Sequence, residues 1–174
     1  LYFSRVKNCK FPMVCNLFGT KERLHFIFRD TLASIQKLIK LKSDPVVILK
    51  KPFVYLNTLS TLWHTIPKRV HNASVLKNKI TIQDLPQLRS WPKDGGAFIT
   101  LPQVYTESIT NPGWMHSNLG MYRIQLSGGQ YTPNQEAGLH YQVHRGIGLH
   151  HSEALQKNMP FHVNIFVGGP PAMN

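Results

Sequence analysis

Between Asn118 and Gly146 the chain alternates apolar and polar residues in two runs, and this alternation most constrains what it can fold into. In the first run Tyr122, Ile124 and Leu126 share a face, opposite Arg123 and Gln125. In the second, Leu139, Tyr141 and Val143 oppose His140, Gln142 and His144. A period of two is that of a strand with one polar side. The connecting residues Ser127 to Ala137 are rich in Gly, Pro and Asn, so the runs are expected to pair as a hairpin with a long turn. Such pairing collects an Arg, two Gln and two His on one surface. Alternation alone leaves open whether that surface meets water or lines a ligand site.

The residues before this stretch read differently. Residues 11–18 suggest a short buried strand running into Gly19, and Thr20 is a candidate N-cap for a helix through Lys21-Glu22-Arg23. Leu32, Ile35, Leu38 and Ile39 predict a helix from about Thr31, ending near Lys42 because Asp44-Pro45 disfavours continuation. Val46 to Leu49 fits a strand or a connection. A further helix is expected from Asn57 or Thr58, with Leu59, Leu62, Trp63 and Ile66 inward before Pro67. After Lys68-Arg69 short runs alternate with Gly and Pro: residues 79–82, 97–101, the hairpin and 162–167. Such punctuation predicts a barrel or sandwich, with a boundary near residues 68–78.

A chain of 174 residues can bury a real core, and its 42% hydrophobic content excludes a wholly disordered protein. No apolar run approaches the roughly 20 residues of a membrane-spanning helix, and no secretory leader is expected from residues 1–10. Cys9 and Cys15 are expected as free thiols in a reducing cytosol, their spacing not being that of a metal site. Lys and Arg number 20 against 8 Asp and Glu, a net charge of +12. That excess suits phosphate, nucleic acid or an acidic surface. The basic residues form no block, however, so nucleic acid is not the expected partner. A chain that starts at Leu1 and stops after an apolar run is equally expected to belong to a longer polypeptide carrying the balancing acids.

His140 and His144 face alike on either a helix or a strand and form a possible metal pair, although two His without a third ligand do not make a site. His150 and His151 are read as surface residues. Arg123 suits a phosphate or carboxylate held by a forked pair of hydrogen bonds. Beyond residue 100 the acidic residues are Glu107, Glu136 and Glu153, which favours an anionic ligand over an internal ion pair. The pairs Gly95-Gly96, Gly128-Gly129 and Gly168-Gly169 read as turns; none belongs to a nucleotide-loop pattern.

Taken together, five segments carry a resemblance. Asn16-Leu17-Phe18-Gly19 with Arg23, Trp91-Pro92-x-Asp94-Gly95-Gly96-x-Phe98-Ile99-Thr100, Asn118-Leu119-Gly120-Met121-Tyr122-Arg123, His144-Arg145-Gly146 and Gly168-Gly169-Pro170-Pro171-Ala172 resemble, in order, the UbiD family. These are reversible decarboxylases that use prenylated FMN, among them the polyprenyl-hydroxybenzoate carboxy-lyase of ubiquinone synthesis. The resemblance runs over essentially the whole chain. It implies an α+β fold, with residues 1–71 the end of an N-terminal α/β region and 72–174 an incomplete split β-barrel that holds the flavin.

The resemblance also implies roles. Asn118 and His144 match ligands of a divalent metal, Mn2+ or Mg2+, with K+ a further candidate cation. Met121, Tyr122, Arg123, His140, Tyr141, Gln142, Arg145 and Gly146 match cofactor-contacting positions, and Arg123 also matches the catalytic arginine that handles the substrate carboxylate. The modified flavin would serve as electron sink while carbon dioxide leaves an aromatic or unsaturated acid. A flavin prenyltransferase would supply the cofactor, and the full-length form would be a cytoplasmic homo-oligomer, with peripheral membrane association as an alternative. The third metal ligand of the family, a Glu, and its catalytic carboxylates lie beyond the position of Asn174. This chain alone is therefore expected not to turn over. The competing expectation is a flavin- or metal-binding remnant without catalysis.

Overall fold

The computed structural model describes residues 1–169, without the side chains of Asn57, Leu59, Leu62 and Thr65. The Pro170-Pro171-Ala172 end of the last motif, and the inward placement expected of Leu59 and Leu62, lie outside the described residues. The chain forms two compact units: Cys15–Lys77 together with Leu1, and Tyr2–Val14 together with the residues from Asn78 onward.

The first unit is helical. Helix α1 spans Lys21–Ile27, and Thr20 caps it, its Oγ1 accepting the Arg23 N–H at 3.2 Å. Helix α2 spans Leu32–Ser43 and ends at Asp44, ahead of Pro45. The segment open to either a strand or a connection is a helical turn, α3, Val47–Lys50. Helix α4, Pro52–Thr65, begins several residues before the expected start, because Pro52 occupies the first turn, where its fixed φ and missing N–H cost nothing. Its buried residues include Tyr55 and Thr58, whereas Trp63 and Ile66, expected inward, are exposed.

The second unit opens with β1, Tyr2–Phe3, antiparallel to β2, Met13–Val14. The strand expected over 11–18 is therefore two residues long, and Val14 is exposed rather than buried. Where residues 79–82 suggested a strand, the chain makes a 3-10 turn at Ile82–Asp84. The Asp84 carboxylate accepts both the Thr81 N–H at 3.0 Å and its hydroxyl at 2.8 Å, drawing the backbone round.

Six strands follow: β3, Phe98–Ile99; β4, Gln103–Glu107, which the Gly/Pro punctuation hid; β5, Ser117–Met121; β6, Ile124–Gln125; β7, Gly138–Leu139; and β8, Asn164–Phe166. They make two antiparallel three-stranded sheets, ordered β3-β6-β7 and β5-β4-β8. Between β7 and β8 lies an unexpected helix, α5, Gly146–Gln156. Its two glycines and the lack of a capping side chain mask it in the sequence, yet Ile147 and Ala154, one face of a helical period, are both buried.

The core joins Ala97, Val104, Ile124, Leu126 and Ile147, with Val104 and Ile147 fully enclosed. Polar ties fasten α5 to β4 and the residues after it. Thr106 Oγ1 lies 2.9 Å from His150 Nδ1, and the Glu153 carboxylate accepts the Ser108 hydroxyl at 2.7 Å and the Ile109 N–H at 2.9 Å. His150 and His151 are thus half-buried and partnered, not the free surface residues expected. His151 bonds the Tyr141 hydroxyl and stacks on Phe161 with centroids 5.2 Å apart. Both cysteines are free thiols. Among the described residues no helix is long and apolar enough to cross a membrane.

Candidate functional site

The hairpin foreseen by alternation is present in shortened form. Strands β6 and β7 pair Ile124 with Leu139 and Gln125 with Gly138, and the His140 N–H donates to the Arg123 carbonyl at 3.0 Å. This register sets Arg123, Gln125 and His140 on one side. The second run does not continue as a strand to His144. The Arg145 N–H bonds the Gln142 carbonyl at 3.0 Å, turning the chain into α5, so Val143 is 79% exposed instead of facing inward.

These elements border a cavity of about 640 Å³, within the range of small-molecule and cofactor sites. One wall is the end of β5 and the residues after it, Asn118 to Arg123. The other is His140, Tyr141 and Gln142, with Arg145 and Gly146 at the start of α5. Ten sequence-predicted site residues are Asn118, Met121, Tyr122, Arg123, His140, Tyr141, Gln142, His144, Arg145 and Gly146; the cavity gathers all of them except His144. His144 is exposed on the turn. Among the described residues no cluster of three or more His, Cys, Asp or Glu is placed to hold a metal.

Close packing fixes the cavity walls. Asn118 Nδ2 donates to the Tyr122 hydroxyl at 3.3 Å, and a Cβ on Gly146 would stand 2.4 Å from Asn118 Oδ1. Glycine lets the first turn of α5 approach that amide without turning it away. Two of the three glycine pairs read as turns, Gly95-Gly96 and Gly128-Gly129, lock together. Gly128 has φ 82°, and a Cβ there would lie 1.6 Å from the Gly95 carbonyl oxygen. Gln125 bridges the two turns: its Nε2 donates to the Ser127 carbonyl at 3.0 Å and the Gly95 carbonyl at 3.4 Å. Its Oε1 is left to accept the His140 Nε2–H at 3.0 Å.

The cavity is electropositive. None of its described lining residues is acidic, and neither Arg123 nor Arg145 has an ion pair among the described residues. Arg145 Nε donates to Gln142 Oε1 at 3.3 Å, and no side chain caps α5. An uncapped helix start presents free N–H groups and the positive end of the helix dipole, a natural seat for an anion. Behind it, the Ser108 hydroxyl, then the Thr110 and Ile109 amides and nearby His150, hold the Glu153 carboxyl below the usual glutamate range against the opposing effect of burial.

No sequence pattern pointed to a role for Phe98 or Glu153, and His150 and His151 read as surface residues. The helical spacing of Ile147, His151 and Ala154 was the available signal for α5.

Comparison with known proteins places this geometry in context. Residues 65–174 match the 3-octaprenyl-4-hydroxybenzoate carboxy-lyase Rift-related domain (UbiD), and residues 1–42 match the N-terminal domain of the same carboxy-lyase. A Chlamydia pneumoniae protein, named as one subunit of a 4-hydroxybenzoate decarboxylase, is 36% identical over 98% of this chain and 28% of its own length. Uncharacterized proteins of Helicobacter pylori strain J99 and Aquifex aeolicus are 32% and 29% identical, over 95% and 99% of this chain and 27% and 35% of theirs. The chain thus spans between about a quarter and a third of the length of these curated relatives.

Proposed function

Because this chain belongs to the UbiD family of carboxy-lyases, we propose that it forms the flavin-holding part of a reversible, non-oxidative decarboxylase. Its substrate would be an aromatic or α,β-unsaturated acid of the hydroxybenzoate kind. In this reading the two three-stranded sheets are parts of a split barrel, and the cofactor is prenylated FMN. The observation that carries the proposal is one cavity holding two arginines that have no carboxylate partner among the described residues, beside the uncapped start of α5.

The residues suit the group. Arg145 and the first N–H groups of α5 would receive the phosphate, whose charge the helix end and the guanidinium both favour. Tyr122 and Tyr141 offer aromatic surface to a planar ring system, and Gly146 keeps Asn118 close to the phosphate end. When bound, the flavin supplies the electron sink that carbanion chemistry requires. Arg123 would orient the acid by pairing with its carboxylate, and the acid's departure as carbon dioxide leaves a carbon that must be protonated. None of the described lining residues is a carboxylic acid, so the usual donor for that step is not among them. The metal is a weaker fit. Asn118 stands in the cavity wall and His144 outside it, so a Mn2+ or Mg2+ site would need movement of the 142–145 turn and a ligand from elsewhere.

Binding of FMN, followed by quenching of its fluorescence, tests the proposal. Arg145→Gln should weaken it roughly 10- to 100-fold, as expected for loss of a charge-assisted hydrogen bond. Unchanged affinity would remove the phosphate assignment. Supplied with prenylated FMN and 4-hydroxybenzoate, the chain alone should release no sustained carbon dioxide, and steady release would show that it needs no further acid.

A further inference from the structure

Among the described residues Arg123 has no ion-pair partner in the cavity, and the group that meets its guanidinium belongs to the neighbouring strand. Its guanidinium carbon stands 4.5 Å from the centroid of the Phe98 ring. Phe98 is buried in β3, directly across from Gln125. His140 meets the same ring edge-on, with centroids 5.7 Å apart and planes at 77°. Gln125 in turn holds His140 and is itself held by the Ser127 and Gly95 carbonyls. The ring is therefore clamped on its buried side and presents a face to the cation.

We propose that Phe98 is a positioning residue for Arg123: its ring face, braced by His140 and Gln125, sets the guanidinium in the cavity wall where the acid's carboxylate is taken. The inference rests on the reading of Arg123 as the carboxylate-binding group. A purely packing role for Phe98 would be met by any side chain of similar volume, whereas holding a cation needs the electron-rich face of an aromatic ring. Phe98→Leu keeps most of the bulk and removes the face; Phe98→Tyr keeps both.

The test is the Arg123 Nε–H resonance of the 15N-labelled chain, identified by its loss in Arg123→Lys. In the native chain and in Phe98→Tyr it should be displaced upfield by the ring current, and in Phe98→Leu it should return to the free-arginine position. A native resonance already at that position overturns the proposal whether or not the Leu variant folds; so does a displacement that survives in a folded Phe98→Leu chain. The second readout is benzoate affinity of the FMN-bound chain. It should fall about two- to five-fold in Phe98→Leu, the size of an exposed cation–π contact, and stay native in Phe98→Tyr. Benzoate affinity unchanged in Arg123→Gln would overturn the carboxylate reading of Arg123, while the resonance would still decide whether Phe98 holds it.

Discussion

In the helical unit, amphipathic periodicity produces helices close to where it places them, yet Leu49, Phe53 and Trp63 stay on the outside, and among the described residues the buried ones are a tyrosine and a threonine of α4. In the sheet unit, strands of two to five residues interrupted by glycine and proline enclose Val104, Ile124 and Ile147 completely or nearly so. Regular secondary structure and a packed core are thus separable. A helix forms from local hydrogen bonds and propensity, while burial needs a second surface of matching shape. The candidate site lies in the unit with the better core and the poorer secondary structure. There the short strands and tight turns bring polar groups from distant parts of the sequence against one another.

The largest effect that would sharpen this contrast is core truncation. Ile147→Ala should cost about 2–5 kcal/mol, because the enclosed site cannot collapse around the lost methyl groups. Leu49→Ala, at a residue 81% exposed, should stay within about 0.5 kcal/mol. Urea unfolding of both variants would measure the pair, and equal costs would erase the distinction between the units. Next comes Gly146→Ala. The added Cβ must turn the Asn118 amide away from the cavity wall, which should cost about 1 kcal/mol at most in stability and lower FMN affinity with it. Thermal unfolding and FMN titration should both register it.

The smallest effect is confined to acid. The Glu153 carboxyl titrates below its ordinary value of 4.5 in the folded chain, chiefly through the Ser108 hydroxyl. Its stabilising contribution is therefore present above that pH and fades as pH falls through the lower folded value. Glu153→Gln should flatten the stability curve below about pH 4.5 and leave its slope between pH 6 and 8 unchanged. Identical acid limbs for the two chains would show that the α5 tie contributes nothing to pH dependence.

Several elements were legible beforehand for reasons that are local. Thr20 caps α1 because its hydroxyl reaches the Arg23 amide three residues on, and α2 stops at Asp44 because proline follows. The pairing of β6 with β7 follows from alternation and a turn-rich linker. The expected strand over 79–82 failed because Asp84 bends the chain back onto Thr81, a side-chain bond that outweighs the β-branched preference of residues 80–82. The second run ended early and α5 went unseen for one shared reason: the glycines that argue against a helix there let its first turn pack closely, Gly146 against the Asn118 amide and Gly148 against the Val143 carbonyl.

By itself the sequence determined the family, helices α1 and α2, the charge excess and the face shared by Arg123, Gln125 and His140, since each depends on residue identity or on spacing along a few residues. Only the tertiary structure decided that Phe98 lies under Arg123, that Gln125 bridges two glycine turns, that His150 and His151 are half-buried, and that His144 stands outside the cavity. Those facts depend on which surfaces meet across tens of residues, and a meeting is governed by shape and unpaired hydrogen-bonding groups that no local pattern records.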